Sequence, residues 1–354
     1  MKRILYILAA ASLILSGCAE SASLSTNYLA KKSFDSWVSV RSSQYPEYLW
    51  TRTLLGCYLL EDVPGTEDLQ DAEKTPYLRV EYTIWALDGE PEATTEMSVA
   101  QQWGEYDETA YYGPAIWYRA EETLYPGYDE IIMGDGAGVS AMKVGGSRTF
   151  AIPGWLQGST RYSTEEEYLA AETGTDYINR IKIVEQIEDI EKWEIDSLSR
   201  YIAQHTTMDP KDSLIYGLYF LQTSAPTTEE EFEDADEFSI YYIGRRLDGQ
   251  VFDTNVADTA KMYGLYDYAS ESDDDDAYQP ISVTWDEDPS EMTMGDDEDS
   301  MIYGFAYALN RMKTGEKATV IFYSGYGYSY SGSGTSIPAY CPLIFELQIV
   351  EDED

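Results

Sequence analysis

The chain has 354 residues, 65 of them acidic and 23 basic, for a formal charge of −42 at pH 7. A body this negative repels nucleic acid and anionic headgroups, which excludes a nucleic-acid partner. One histidine and three cysteines in the whole chain remove most catalytic triads and most zinc sites.

Residues 1–17 read as a secretory signal, with Lys2 and Arg3 as the basic n-region and Ile4 to Leu15 as the apolar core. The run is shorter than the ~20 residues a membrane span needs. Leu15-Ser16-Gly17-Cys18 resembles a bacterial lipobox. That resemblance implies cleavage before Cys18, a lipid on its sulfur, a tether over residues 18–25, and a protein lipid-anchored to the bacterial cell envelope at the outer membrane. A plain signal peptide followed by a chance cysteine is the alternative.

A helix is expected from about Asn27 to Ser43. Beyond it the sequence repeats itself. Gly56-Cys57-Tyr58-Leu59-Leu60 is echoed by Gly217-Leu218-Tyr219-Phe220-Leu221. Tyr82 with Leu87-Asp88-Gly89 is echoed by Tyr242 with Leu247-Asp248-Gly249, and Met142-Lys143-Val144-Gly145 by Met312-Lys313-Thr314-Gly315. The repeat divides the chain into a first domain over 26–186, a linker helix within 187–209 and a second domain over 210–354. Ile195, Leu198 and Ile202 form an apolar stripe on the linker helix, Ile187 and Ile190 give a similar pair at its start, and Asp209-Pro210 marks its end. His205 lies on its surface. Cys57 and Cys341 sit in apolar contexts in different domains and read as small buried residues.

In the second half, Phe238, Ile240 and Tyr242 share one strand face, and Gly244 ends the alternation. Asp248-Gly249 signals a two-residue hairpin whose central positions both need positive φ. The return strand carries Val251, Phe252 and Asp253. The stretch from Asn255 to Ser300 is long and acidic. Asp273 to Asp276 has no calcium-loop spacing and reads as solvated loop charge. Pro280 to Trp285 supplies a strand, and Asp286 to Ser300 an inserted loop. Phe305, Ala308, Leu309 and Met312 fall on one face of a short helix that Gly315 stops. Ala318 to Phe322 and Leu343 to Val350 are strands.

In this order the segments resemble the FKBP-type peptidyl-prolyl isomerases. The matching residues are Tyr242 and Gly244, Asp248-Gly249 with Phe252-Asp253, and Met301-Ile302 with Gly304-Phe305. Met312, Gly315, Lys317 and Ala318 follow, then Tyr328, Ile337-Pro338 and Phe345. The resemblance covers the last 140 or so residues. It implies an α+β fold of two FKBP-like domains, each a twisted antiparallel sheet wrapped on a short helix. It implies an aromatic pocket of Tyr242, Phe252, Phe305, Tyr328 and Phe345, with Ile281, Met301 and Ile337 against the substrate. The Ile302 N–H and the Tyr328 hydroxyl would hold substrate carbonyls, and Asp253 would accept a hydrogen bond from Tyr242. No metal or cofactor is implied, and the partners are proline-containing polypeptides; the acidic residues near the pocket mouth would favour cationic ones. Phe305 stands where the family most often has Trp, and Ser329 where it has Gly.

The first copy departs from the pattern. Glu92-Ala93 stand at the positions of Phe252-Asp253, Asp135 at that of Phe305, and Phe345 falls near Asn179. A pocket charged where the family's is aromatic makes this copy non-catalytic: a spacer, a dimer surface or a client-binding module. The alternative for the whole protein is a chaperone or assembly scaffold without turnover. A carbohydrate binder has only the aromatic composition behind it.

Overall fold

The computed structural model describes residues 26–267 and 278–350, so the signal segment, Cys18 and the Asp273–Asp276 run lie outside the described residues. The fold is α+β, with a seven-stranded, an eight-stranded and a small two-stranded antiparallel sheet among helices. Two compact units form. One holds the described residues up to Leu69, with Thr83–Ala93 and Glu121–Lys182; the other holds Gln70–Tyr82, Thr94–Ala120 and the described residues from Ile183 onward.

In the first unit, helix α1 (Thr26–Gln44) precedes strand β1 (Tyr58–Val63), helix α2 (Pro126–Met133) and strand β2 (Ser147–Ile152). Strand β2 pairs with β1 on one side and, on the other, with residues Tyr177 to Lys182 of β3 (Tyr177–Ile187), whose remaining residues belong to the second unit. Ile187 therefore ends a strand. Helix α3 starts only at Ile190, where the Asp189 carboxylate caps it by accepting the Lys192 N–H at 3.0 Å, and runs to His205. The expected Ile187–Ile190 pair straddles that boundary, because the strand's alternation runs on to Ile187.

The second unit is built on strands β4 (Leu218–Ser224), β5 (Glu237–Arg246), β6 (Val251–Thr254), β7 (Ile281–Thr284), β8 (Thr293–Met294) and β9 (Asp299–Ser300). Helix α4 (Tyr303–Leu309) and strands β10 (Lys317–Phe322) and β11 (Leu343–Ile349) complete it. The sheet order is β4-β10-β11-β5-β7-β8-β9, with β6 hydrogen-bonded to β5. Residues 286–300 are thus not a plain inserted loop. They add two short strands to the sheet edge, pairing Val283 with Met294 and Met294 with Asp299.

The alternation in β5 is as expected at Phe238, Ile240 and Tyr242, all buried, but it does not stop at Gly244. The strand continues to Arg246. The hairpin also differs: Arg246 N–H donates to Gln250 O and Gly249 N–H to Arg246 O, each at 3.0 Å. Only Gly249 takes a positive φ, at +89°. This is a three-residue loop closed by a glycine in the left-handed region, which needs one positive φ where the two-residue turn needs two.

Each face of the sheet is covered by a helix. On one, α4 presses Phe305, Ala308 and Leu309 into a core with Phe238, Ile240, Tyr242, Val320, Phe322 and Phe345. On the other, Leu198 and Ile202 of α3 pack on Tyr219, Ile321 and Ile344, the residues of β4, β10 and β11 that point away from α4. Helix α4 stops at Leu309, short of Met312. Met312 is buried in the turn that follows, and Gly315, at φ +75°, shapes the entry to β10 and does not cap the helix. Cys57 is buried, Cys341 half-buried, and both are free thiols.

Candidate functional site

The β5–β6 hairpin places Tyr242 beside Asp253, and the phenol donates to Asp253 Oδ2 at 3.0 Å. Asn255 and Thr254 fix that register. Asn255 Oδ1 accepts the Tyr242 N–H at 2.8 Å and its amide donates to Ile240 O at 2.9 Å, while the Thr254 hydroxyl donates to Tyr242 O at 2.7 Å. Sequence reasoning passed over Asn255, although it lies two positions after the acid.

Helix α4 sets Phe305 edge-on to Tyr242, with centroids 5.7 Å apart at 89°, and to Phe345 at 4.9 Å. Phe252 meets Phe345 at 5.6 Å and 84°, and Phe345 stacks on Phe322 at 5.9 Å. Edge-to-face contacts of this kind suit the ring quadrupoles and hold each ring in place. Tyr242, Phe305, Ile337 and Phe345 are no more than 8% exposed and make a floor. Phe252, Ile281, Met301, Ile302 and Tyr328 are half-buried, pack against the same cluster and make a rim. The expected side chains therefore converge, with Asp253 reaching solvent at one side.

Two donors at the rim are uncommitted. Ile302 caps α4 with φ −62° and ψ 140°, and its carbonyl accepts the Phe305 and Ala306 N–H groups. Among the described residues its own N–H has no partner, nor does the Tyr328 hydroxyl. A helix start leaves such N–H groups pointing outward. Tyr328 O accepts the Ser331 and Gly332 N–H groups and so starts a covering loop that returns at a Ser333–Ile337 bridge. Arg246 pins that loop by donating to Ser336 O at 2.6 Å. Ser329 holds a φ of +49° in it, where the family pattern has glycine.

Burial, then the neighbouring Asp253 charge, pushes the Tyr242 and Tyr328 phenols above their ordinary range, so both are neutral donors at pH 7. Desolvation raises the Asp253 carboxyl, against the hydrogen bond from Tyr242 that lowers it. Among the described residues no group of three or more His, Cys, Asp or Glu side chains is placed to hold a metal ion.

The first copy repeats the scaffold and changes the floor. Thr95 Oγ1 accepts the Tyr82 N–H at 2.9 Å and the Thr94 hydroxyl reaches Tyr82 O at 3.3 Å, as Asn255 and Thr254 do for Tyr242. Glu92-Ala93 therefore do stand in the places of Phe252-Asp253. Asp135 is not the counterpart of Phe305; Tyr128 is. A Cβ on Gly127 would meet Ile152 and one on Gly304 would meet Phe322, the last residues of the matching strands β2 and β10. Tyr128 follows the first glycine as Phe305 follows the second. Its hydroxyl donates to Asn179 Oδ1 at 2.7 Å. Asn179 faces Phe150 across the ladder as Phe345 faces Val320, so it is the counterpart of Phe345. Asp135 instead closes a loop by accepting the N–H groups of Ala137, Gly138 and Val139.

A sheet closed over one short helix, with a floor of edge-on rings and a half-exposed rim, defines an FKBP-like domain. Residues 228–350 match the family described as FKBP-type peptidyl-prolyl cis-trans isomerase. No curated protein matches the chain. Among solved structures, the three FKBP domains of wheat FKBP73 align at 14% identity and a TM-score of 0.27, over 83% of this chain and 93% of that one. A peptidyl-prolyl isomerase from Pseudomonas syringae pv. tomato aligns at 18% and 0.29, over 45% of this chain and 93% of its own. FkpA from Escherichia coli aligns at 18% and 0.31, over 46% and 58%.

Proposed function

We propose that the protein is a peptidyl-prolyl cis-trans isomerase for X-Pro bonds of envelope or secreted polypeptides. The convergence of Tyr242, Phe252, Phe305 and Phe345 beside the Tyr242–Asp253 pair carries this reading. Amide resonance sets a rotation barrier of ~18–20 kcal/mol, and no bond has to break to cross it. A catalyst needs only to bind the twisted amide better than the planar one. The twisted amide has lost its charge-separated resonance form, so a dry, ring-walled hollow favours it. The Ile302 N–H and the Tyr328 hydroxyl hold flanking carbonyls, and Asp253 keeps the Tyr242 phenol oriented. Ile281, Met301 and Ile337 contact the prolyl side chain and its neighbour. With Tyr128 bonded to Asn179 across its floor, the first copy takes no part in turnover.

The test is cis/trans exchange of a proline tetrapeptide. Phe252→Ala is expected to lower kcat/KM by about tenfold or more, equivalent to about 1.4 kcal/mol of transition-state binding. No acceleration by the wild-type protein would refute the reading in favour of a scaffold or holdase. A wild-type rate in Phe252→Ala would move the site elsewhere. We further propose that Cys18 carries a lipid that holds this activity at the membrane.

A further inference from the structure

Five tyrosines form an unbroken row beside the site. Their ring centroids are 6.3 Å apart for Tyr216–Tyr323, 4.8 Å for Tyr323–Tyr326, 5.5 Å for Tyr326–Tyr303 and 5.6 Å for Tyr303–Tyr307. They come from three separate places: the turn before β4, the turn after β10 and the first turns of α4. Tyr216 is 58% exposed and Tyr303 38%, and the others are half-buried. The row is continuous with the rim, since Tyr303 follows Ile302 and Tyr326 precedes Tyr328 by two residues. The Glu191 carboxylate lies near this end of the row and presses its charge on Tyr216, Tyr323 and Tyr326. At the other end the Arg311 guanidinium lies 4.5 Å over Tyr307.

Neighbouring rings are inclined to one another by 34° to 78°. That makes a corrugated strip with wells between rings and not the flat platform on which a sugar face stacks. An extended polypeptide places same-side side chains about 6.6 Å apart, close to the spacing of the rings. Tyrosine offers such a chain apolar area and a hydroxyl at little entropic cost.

We propose that this row is an exosite for the extended stretch of client polypeptide next to the bond held in the site, with a preference for aromatic side chains and, near Glu191, basic ones. That it serves isomerisation rests on the function proposed above; that it binds does not.

The test uses the full chain carrying Tyr216→Ser with Tyr307→Ser, the two ends of the row, and as ring-preserving control Tyr216→Phe with Tyr307→Phe. The probe is a fluorescent, proline-free, unfolded polypeptide containing Phe and Lys, followed by anisotropy. The Ser variant is expected to weaken binding about tenfold, or about 1.4 kcal/mol, and the Phe variant to retain it. Tetrapeptide exchange stays at the wild-type rate in both, while isomerisation in a long unfolded substrate slows in the Ser variant through a higher KM. Equal probe binding by wild type and the Ser variant overturns the proposal. So does binding of an oligosaccharide in place of the polypeptide. A protein that binds the probe through these tyrosines yet speeds no proline exchange would keep the exosite and remove the isomerase.

Discussion

Gly244 shows how one missing side chain shapes the site. It lies inside β5, and a Cβ there would stand 2.7 Å from the Phe252 ring and 2.9 Å from that of Phe345. Gly244→Ala would therefore push apart the Phe252 and Phe345 rings. The expected cost is about 1–3 kcal/mol, as for other overpacked cores, together with a loss of proline exchange. Gly249→Ala is the contrast: nothing lies within 4 Å of its Cβ, but its φ is +89°. It should lose roughly 1–2 kcal/mol of stability to backbone strain and keep its activity. Urea midpoints and tetrapeptide rates on both variants decide this, and a wild-type rate in Gly244→Ala would sink the steric account. The hairpin signal brought Tyr242 near Asp253 in the sequence, but the ladder sets Asp253 opposite Gly244 beside a bulge, and the hydrogen bond between phenol and acid was implied by the family resemblance. The sequence did not make Tyr128 legible. The string Gly134-Asp135 looks like Gly304-Phe305, but the first copy has the longer connection from helix to strand, Met133 to Ser147 against Leu309 to Lys317, and that shifts the alignment.

Among the elements, α3 does more than connect. Its Glu194 is 2% exposed and accepts the Ser324 N–H at 2.7 Å and the Ser324 hydroxyl at 2.8 Å, on the turn that leads to Tyr328. Desolvation is the main cause that raises this carboxyl to about 7, with the Glu191 charge adding to it. In the unfolded chain it titrates near 4.5. The folded state thus holds a proton that the unfolded state has released between those values, so stability is full below about 4.5 and is lost as pH rises through 7. The loss is on the order of 3 kcal/mol. Glu194→Gln keeps an acceptor for the Ser324 N–H and cannot ionise, so its stability should fall less than that of wild type between pH 5 and 8. Denaturant midpoints across that range test it, and parallel curves would refute it. The stripe of Ile195, Leu198 and Ile202 announced this helix; its start was hidden because isoleucines continue both a strand and a helix pattern. Strands β8 and β9 were illegible for another reason: two-residue strands flanked by acids leave no alternation to count.

At the scale of the whole molecule the repeat was legible, and so was the substitution in its first copy, where Glu92-Ala93 stand in the places of Phe252-Asp253. The lipid anchor proposed at Cys18 is tested at this scale. Among the described residues no helix is long and apolar enough to cross a membrane. The full chain's formal charge of −42 is repelled by anionic headgroups. In the proposed anchoring, attachment would rest on acyl chains at Cys18, each buried CH₂ contributing about 0.8 kcal/mol. Such an anchor is indifferent to ionic strength, whereas one held by headgroup charge would release at about 1 M salt, where the screening length is ~3 Å. Wild-type protein expressed in a bacterium should therefore stay with the membrane fraction through a wash at about 1 M salt and leave in detergent. Cys18→Ala should appear in the soluble fraction with its tetrapeptide rate intact, because the proposed site draws only on residues of the C-terminal domain. Cys18→Ala protein that sediments with membranes as wild type does would overturn the lipid anchor, and wild type that is soluble from the outset would favour a plain signal peptide.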